Sequence, residues 1–135
     1  GVGKTFAAKR LAYSIMGEKD TSRVSMVQFH QSYSYEDFIQ GYRPFENGFK
    51  LEMGAFYKFC KAAEIDNERP YFFIIDEINR GNLSKIFGEL MLLIESDKRG
   101  EKLKLLYKDE WFTVPKNVRI IGLMNRRRLE IGPPI

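Results

Sequence analysis

Three short stretches carry residue types suited to phosphate chemistry. The first is Gly1-Val2-Gly3-Lys4-Thr5, followed by Phe6. Its glycines let backbone N–H groups turn inward around phosphate oxygens, and a helix starting there aims its positive end at them. Lys4 would neutralise the outer phosphates, and Thr5 would offer its hydroxyl to a Mg2+ ion. These five residues match the back half of the pattern G-x-x-x-x-G-K-[ST]. Gly1, Val2, Gly3, Lys4, Thr5 and Phe6 therefore form the candidate nucleotide-binding segment. The second stretch is Phe72-Phe73-Ile74-Ile75-Asp76-Glu77. Acids leaving the carboxyl end of a buried strand enter the crevice where α/β proteins hold ligands. Asp76 is the candidate magnesium ligand beside Thr5, and Glu77 the candidate base for an attacking water. The third is Asn125, an amide at the end of another apolar run. It could orient the water or the terminal phosphate from beside Glu77. Asparagine alone is a common strand terminator; it gains meaning from the other two stretches.

Other polar residues fit structural roles better. His30 is the single histidine and has no triad around it, so it reads as a structural polar residue. Tyr33 and Tyr35 read as packing against a neighbouring loop rather than facing a channel or partner. Arg80 could reach phosphate across a subunit boundary or serve as a cap or ion-pair partner. Arg126, Arg127 and Arg128 form a basic cluster that could contact phosphate or nucleic acid, but without interleaved aromatics a solvated end is the favoured reading. Cys60 has no second thiol for a disulfide or a metal cluster, which leaves a small residue on a helix face and fits a reducing compartment.

Positioning these groups requires alternating strands and helices. The 135 residues are 44% apolar and 14% aromatic, enough for one core, and the net charge is +4. No apolar run approaches a membrane span, and Gly1 to Thr5 cannot be the apolar centre of a signal peptide. A cytoplasmic location without membrane contact is the expectation. From Lys4 a helix would present Phe6, Ala7, Leu11 and Ile15 on one side and stop at Gly17. Residues 23–29 read as a buried strand. Ser34 and Asp37 are spaced as a capping box for a helix stopping at Gly41, and 42–52 read as a loop. A helix over 53–65 precedes the strand 71–77, whose five successive apolar residues imply cover on both faces. Leu83, Ile86, Phe87, Leu90, Met91 and Ile94 keep helical spacing. Residues 102–115 suggest a hairpin turning at Lys108-Asp109-Glu110, and 117–125 a further buried strand. This order predicts an α/β fold with a mostly parallel sheet.

The same strings resemble a known group. Gly1 to Thr5, Ile74-Ile75-Asp76-Glu77-Ile78-Asn79-Arg80 and residues 120–125, with a hairpin ahead of the last strand, look like AAA+ ATPases that carry a pre-sensor hairpin. MoxR-like and dynein-related modules are neighbours in that group. Residues 27–44, supported by 97–101, are similar to the McrB type, the motor subunit of modified-cytosine-dependent restriction systems. The resemblance implies a three-layer αβα P-loop NTPase core over 1–135, partial because the first strand and helical lid are absent. It implies a homo-oligomeric ring hydrolysing GTP, or ATP, with Mg2+. It further implies a McrC-type nuclease subunit as partner and DNA reached through the complex. Glu77 and Asn125 carry over as catalytic base and sensor, and Thr5 and Asp76 as the metal contacts.

Two other functions remain open. One is a non-catalytic remnant that binds nucleotide poorly, which the missing first glycine of the loop, the missing strand and the missing lid favour. The other is a MoxR-like chaperone ATPase, which the 27–44 string disfavours. Gly132-Pro133-Pro134 is a triplet that often precedes Gly-Val-Gly-Lys-Thr, so 129–134 could lie beside Gly1 and imitate the missing half of the loop. A ragged end needs no such geometry, and a phosphate loop cut through its middle is the expectation.

Overall fold

The computed structural model describes residues 2–124 and the backbone of 128–131. Helix α1 (Val2–Met16) leads through a 3-10 turn to β1 (Val24–Gln28). A short α2 (Tyr35–Phe38) is followed by the hairpin β2 (Gln40–Phe45) and β3 (Gly48–Met53), then α3 (Ala55–Ile65) and β4 (Tyr71–Asp76). Helix α4 (Leu83–Phe87) precedes the hairpin β5 (Lys102–Lys104) and β6 (Trp111–Thr113). β7 (Val118–Leu123) and β8 (Arg128–Ile131) close the order. The main sheet runs β1-β4-β7-β8, parallel over its first three strands and antiparallel at β8.

Three layers follow from the alternation of side chains along β4. Phe72 and Ile74, with Ile121 and Leu123 of β7, pack against Ala8 and Ala12 of α1. Phe73 and Ile75 face the opposite way, into a larger core with Phe38, Phe56, Phe59, Phe87 and Leu90. Phe38 stacks on Phe56 with ring centroids 4.9 Å apart, and meets Phe73 edge-on at 5.6 Å. The expected αβα arrangement and the central place of β4 are observed, as are α3 and the β5–β6 hairpin.

Several local expectations are corrected. The buried side of α1 is Ala8, Ala12 and half-buried Met16, not Phe6 and Ile15, which are 62% and 44% exposed. Alanines at a spacing of four let the helix axis approach the sheet closely, so bulk alone misidentified the face. Residues 42–52 form the β2–β3 hairpin rather than a loop, and Gly41 lies inside β2 instead of stopping a helix. The Pro, Asn and Gly there are edge-strand and turn residues, with Glu46 at φ 52 in the connection. The capping box does form: Ser34 Oγ accepts from Asp37 N at 3.3 Å, and Asp37 Oδ2 from Ser34 N at 3.1 Å. β1 is the edge of the sheet and only half-buried, with Phe29 just beyond it fully buried. The helix expected over 83–94 breaks at Gly88, φ 56 and ψ −132, and continues as a 3-10 helix to Leu93. A Cβ at Gly88 would stand 2.8 Å from the Tyr35 ring, so this break lets Tyr35 pack.

Candidate functional site

The carboxyl ends of β1, β4 and β7 lie level with one another. Gln28 pairs with Asp76, and Ile75 with Gly122, so Asp76 stands between Gln28 and the level of Leu123. The first turn of α1 comes to the same edge, where Lys4 Nζ donates to the carbonyl of Met124 just beyond β7. The fold therefore gathers the lysine of the first motif and the acids of the second along one side of the sheet. Asn125, next after Met124, and Gly1 lie outside the described residues, as do Arg126, Arg127 and Gly132-Pro133-Pro134. β8 runs from the level of Leu123 to that of Ile120, so its direction leads away from the edge that holds Lys4.

Val2, Gly3, Lys4 and Thr5 are the first turn of a helix and not an open loop. Their N–H groups have no intrahelical acceptor and face the helix's positive end, which remains an anion-binding geometry. Among the described residues nothing lies within 4 Å of where a Cβ on Gly3 would stand. Packing inside the chain thus places no demand for glycine there, although glycine weakens a helix relative to alanine. Thr5 is half-buried and Phe6 exposed in this turn.

Asp76 Oδ1 accepts the N–H of Glu77 at 3.0 Å, which leaves Oδ2 directed elsewhere, and its carbonyl accepts Phe29 N at 2.9 Å. Glu77 turns the chain sharply between β4 and a 3-10 turn over Ile78–Arg80, at φ 52 and ψ 46. That left-handed conformation costs a non-glycine residue about 1–2 kcal/mol. Glu77 is nevertheless only 9% exposed. Arg80 Nη1 stands 4.0 Å from Glu77 Oε2, with the arginine 62% exposed along its side chain, a weak ion pair and not a cap. The cap of α4 is Asn82, whose Oδ1 accepts from Lys85 N at 3.2 Å.

Sequence reasoning missed the glycine that holds this turn in place. A Cβ on Gly81 would lie 2.7 Å from Ile86 Cδ1 and 2.9 Å from the Phe29 ring. The segment after Glu77 therefore lies flat on Phe29, which is itself bonded to Asp76. Only the glycine among bulkier neighbours hinted at it. Two buried arginines were also missed. Arg23 is gripped by Glu18, Asp20 and the carbonyl of Pro70, joining the entry to β1 with the entry to β4. Arg99 donates to the carbonyls of Ile94 and Val118 at 2.9 and 2.5 Å, and burial lowers its pKa to about 10.

Tyr33 and Tyr35 pack against neighbouring residues as expected but also line a cavity. His30 is exposed, its Nδ1 accepting from Ser32 N at 3.2 Å. Tyr33 stacks on Phe29 at 5.1 Å, and burial with the nearby Asp37 charge pushes its hydroxyl up to about 12. Tyr35 is buried and donates to Glu89 Oε2 at 3.0 Å. Cys60 is buried on α3, and burial raises its thiol pKa. Among the described residues no helix is long and apolar enough to cross a membrane.

The family described as AAA domain (dynein-related subfamily) matches residues 1–133. The chain is 63% identical over 130 residues to the Type IV methyl-directed restriction enzyme EcoKMcrB subunit of Escherichia coli (strain K12), covering 93% of this chain and 28% of that protein. It is 27% identical over 165 residues to the Type II restriction enzyme BsuMI component YdiS of Bacillus subtilis (strain 168), covering 93% of this chain and 48% of that protein. The chain thus spans less than half the length of either relative.

Proposed function

From the premise that this chain belongs to the AAA domain family, dynein-related subfamily, and is an AAA+ P-loop NTPase core of the McrB type, we propose that it binds and hydrolyses GTP, with ATP as the second candidate substrate. The observation that carries the proposal is the shared sheet edge, where Lys4 reaches Met124 and Asp76 stands at the end of the neighbouring strand. Gly1, Val2, Gly3, Lys4, Thr5 and Phe6 receive the phosphates, with the open first turn of α1 as their anion site. Glu77 accepts a proton from the attacking water, and its left-handed backbone fixes where that carboxylate points. Asn125 orients the water or the terminal phosphate.

The donor set suits Mg2+. Among the described residues no group of three His, Cys, Asp or Glu side chains converges. Magnesium in nucleotide sites is held by one or two protein oxygens plus phosphates and water, not by a protein cage. The Thr5 hydroxyl and Asp76 Oδ2 are hard oxygen donors of that kind. When bound, the ion would draw charge off the phosphates.

The enzyme would act as the motor core of a restriction complex, in a homo-oligomeric ring with a McrC-type nuclease subunit and DNA. Both relatives are restriction components by description, which supports that setting. A second reading, a remnant that binds nucleotide poorly, is favoured by one observation: the Lys4 ammonium already bonds a carbonyl and must leave it to meet a phosphate. Phosphate release with GTP and with ATP, measured side by side on the chain and on Glu77→Gln, separates the two. Slow release, faster with GTP and abolished in the variant, is the expected result. Equal release from the variant would remove Glu77 from the mechanism, and no release with no nucleotide-dependent rise in Tm would establish the remnant.

A further inference from the structure

A cavity of about 590 Å3 lies between the 31–36 segment, α4 and the tip of the β5–β6 hairpin, on the face opposite α1. Pockets that hold ligands span about 300–1,000 Å3, so it can take a short chain segment. Its charged groups are Glu36, Glu89 and Lys85, an excess of one negative charge. Asp37, on the same helix as Glu36, is paired with Arg43 at 2.5 Å and adds nothing to that balance.

Both carboxylates are held by tyrosines. Tyr35 donates to Glu89 Oε2, and Tyr107 to Glu36 Oε2, which orients each group and leaves its Oε1 as an acceptor. Tyr35 is itself locked against Gly88. The aromatic and apolar walls, Tyr33, Tyr35 and the 69%-exposed Leu106, suit the long aliphatic stem of a basic side chain. Gln31 and Ser32 add hydrogen-bonding groups of the kind that meet a peptide backbone. A nucleic-acid backbone would bring its phosphates against two carboxylates, and that repulsion argues against it.

We propose that this cavity binds a polypeptide segment carrying arginine or lysine, with Glu36 and Glu89 receiving the cationic side chain. The site is separate from the nucleotide edge and does not depend on the hydrolytic reading.

The test uses a fluorescein-labelled Gly-Arg-Leu-Arg-Gly peptide and, in parallel, a labelled oligothymidylate, each titrated into the 135-residue chain. Anisotropy gives the affinity, and 15N amide shifts locate the site. Glu36→Gln and Glu89→Gln keep an acceptor for each tyrosine while removing the charge, and thermal melts check that both remain folded. Saturable peptide binding is expected, with amide shifts in 32–36 and 85–89 and affinity about tenfold weaker in each variant. Glu95→Gln, the same charge change at an exposed position outside the cavity, should leave affinity unchanged. Peptide binding that ignores Glu36 and Glu89, an absence of binding, or oligothymidylate shifting the same amides would each overturn the proposal.

Discussion

Gly3→Ala separates what the fold wants at position 3 from what a nucleotide wants. Gly3 is the second residue of α1, and the volume a Cβ would occupy is empty to 4 Å. Alanine therefore meets no steric cost and gains the helix preference, about 0.5–1 kcal/mol in a helix interior and nearer the lower figure in a first turn. For a chain of this size that corresponds to a rise in Tm of about 2 °C. A phosphate received at this first turn would be held by its free N–H groups. A methyl group there keeps a phosphate oxygen from closing on those donors, and a loss of about tenfold or more in nucleotide affinity is expected, equal to about 1.4 kcal/mol. The assay is a pair of thermal melts, with and without Mg-GTP, supported by fluorescence titration with a labelled guanine nucleotide. The variant should be the more stable protein alone and gain less from nucleotide. A lower Tm without nucleotide would mean that Gly3 has a structural task in the fold. Unchanged nucleotide affinity would mean that phosphates do not approach this turn.

Three further outcomes follow from the same geometry. Gly54→Ala should cost about 3 kcal/mol or more, because its Cβ would lie 2.3 Å from the backbone carbon of Phe38 and cannot be relieved by a side-chain rotation; a melt matching the parent would contradict this. Hydrogen bonds from Ser22 and Arg23 hold the Asp20 carboxyl at about 2, well below its ordinary 3.8. The folded value is the depressed one, so its stabilising contribution is complete above about pH 4 and disappears as pH falls toward 2. Urea midpoints between pH 2 and 5 should show that slope, and Asp20→Asn should flatten it. Cys60 is buried with its pKa raised, so a thiol reagent should label it only at the rate of unfolding; immediate labelling of the native chain would show the α3 packing to be wrong.

Much of the fold was legible because its central strand is unambiguous. Tyr71 to Ile75 can only be covered on both sides, and the acids after them had to emerge at a sheet edge. The capping box at Ser34 and Asp37 likewise declares itself from type and spacing. The β2–β3 hairpin was not legible, since Pro44, Asn47 and Gly48 are turn formers by composition and their pairing is settled by partners across the strand. Nor was the face of α1: Ala8 and Ala12 are chosen for closeness to Ile74 and Ile121, a property of the pair of layers that one helix cannot display alone. At the site, residue types and order suggested that Lys4 and the acids Asp76 and Glu77 would meet at one sheet edge, which the structure bears out. The backbone geometry that aims them did not show, because the left-handed turn at Glu77 falls on a residue with no propensity for it.

That turn and Gly3 belong together. Each is locally unfavourable: a glycine in a helix with nothing requiring it, and a glutamate in a conformation suited to glycine or asparagine. Among the described residues Gly3 borders open space, whereas Glu77 is buried, with its N–H held by Asp76 Oδ1 at 3.0 Å, its carbonyl by Arg80 N at 3.0 Å and its carboxylate 4.0 Å from the exposed Arg80 guanidinium. Elsewhere the glycines with crowded Cβ positions, Gly41, Gly54, Gly81 and Gly88, each have a neighbour that explains them. The two costs sit on separate elements, α1 and the end of β4, and the Lys4–Met124 bond brings those elements to the same sheet edge. At the nucleotide edge proposed above, contacts with a bound phosphate would compensate such local costs. A chain selected for stability alone would have placed alanine at one and glycine at the other.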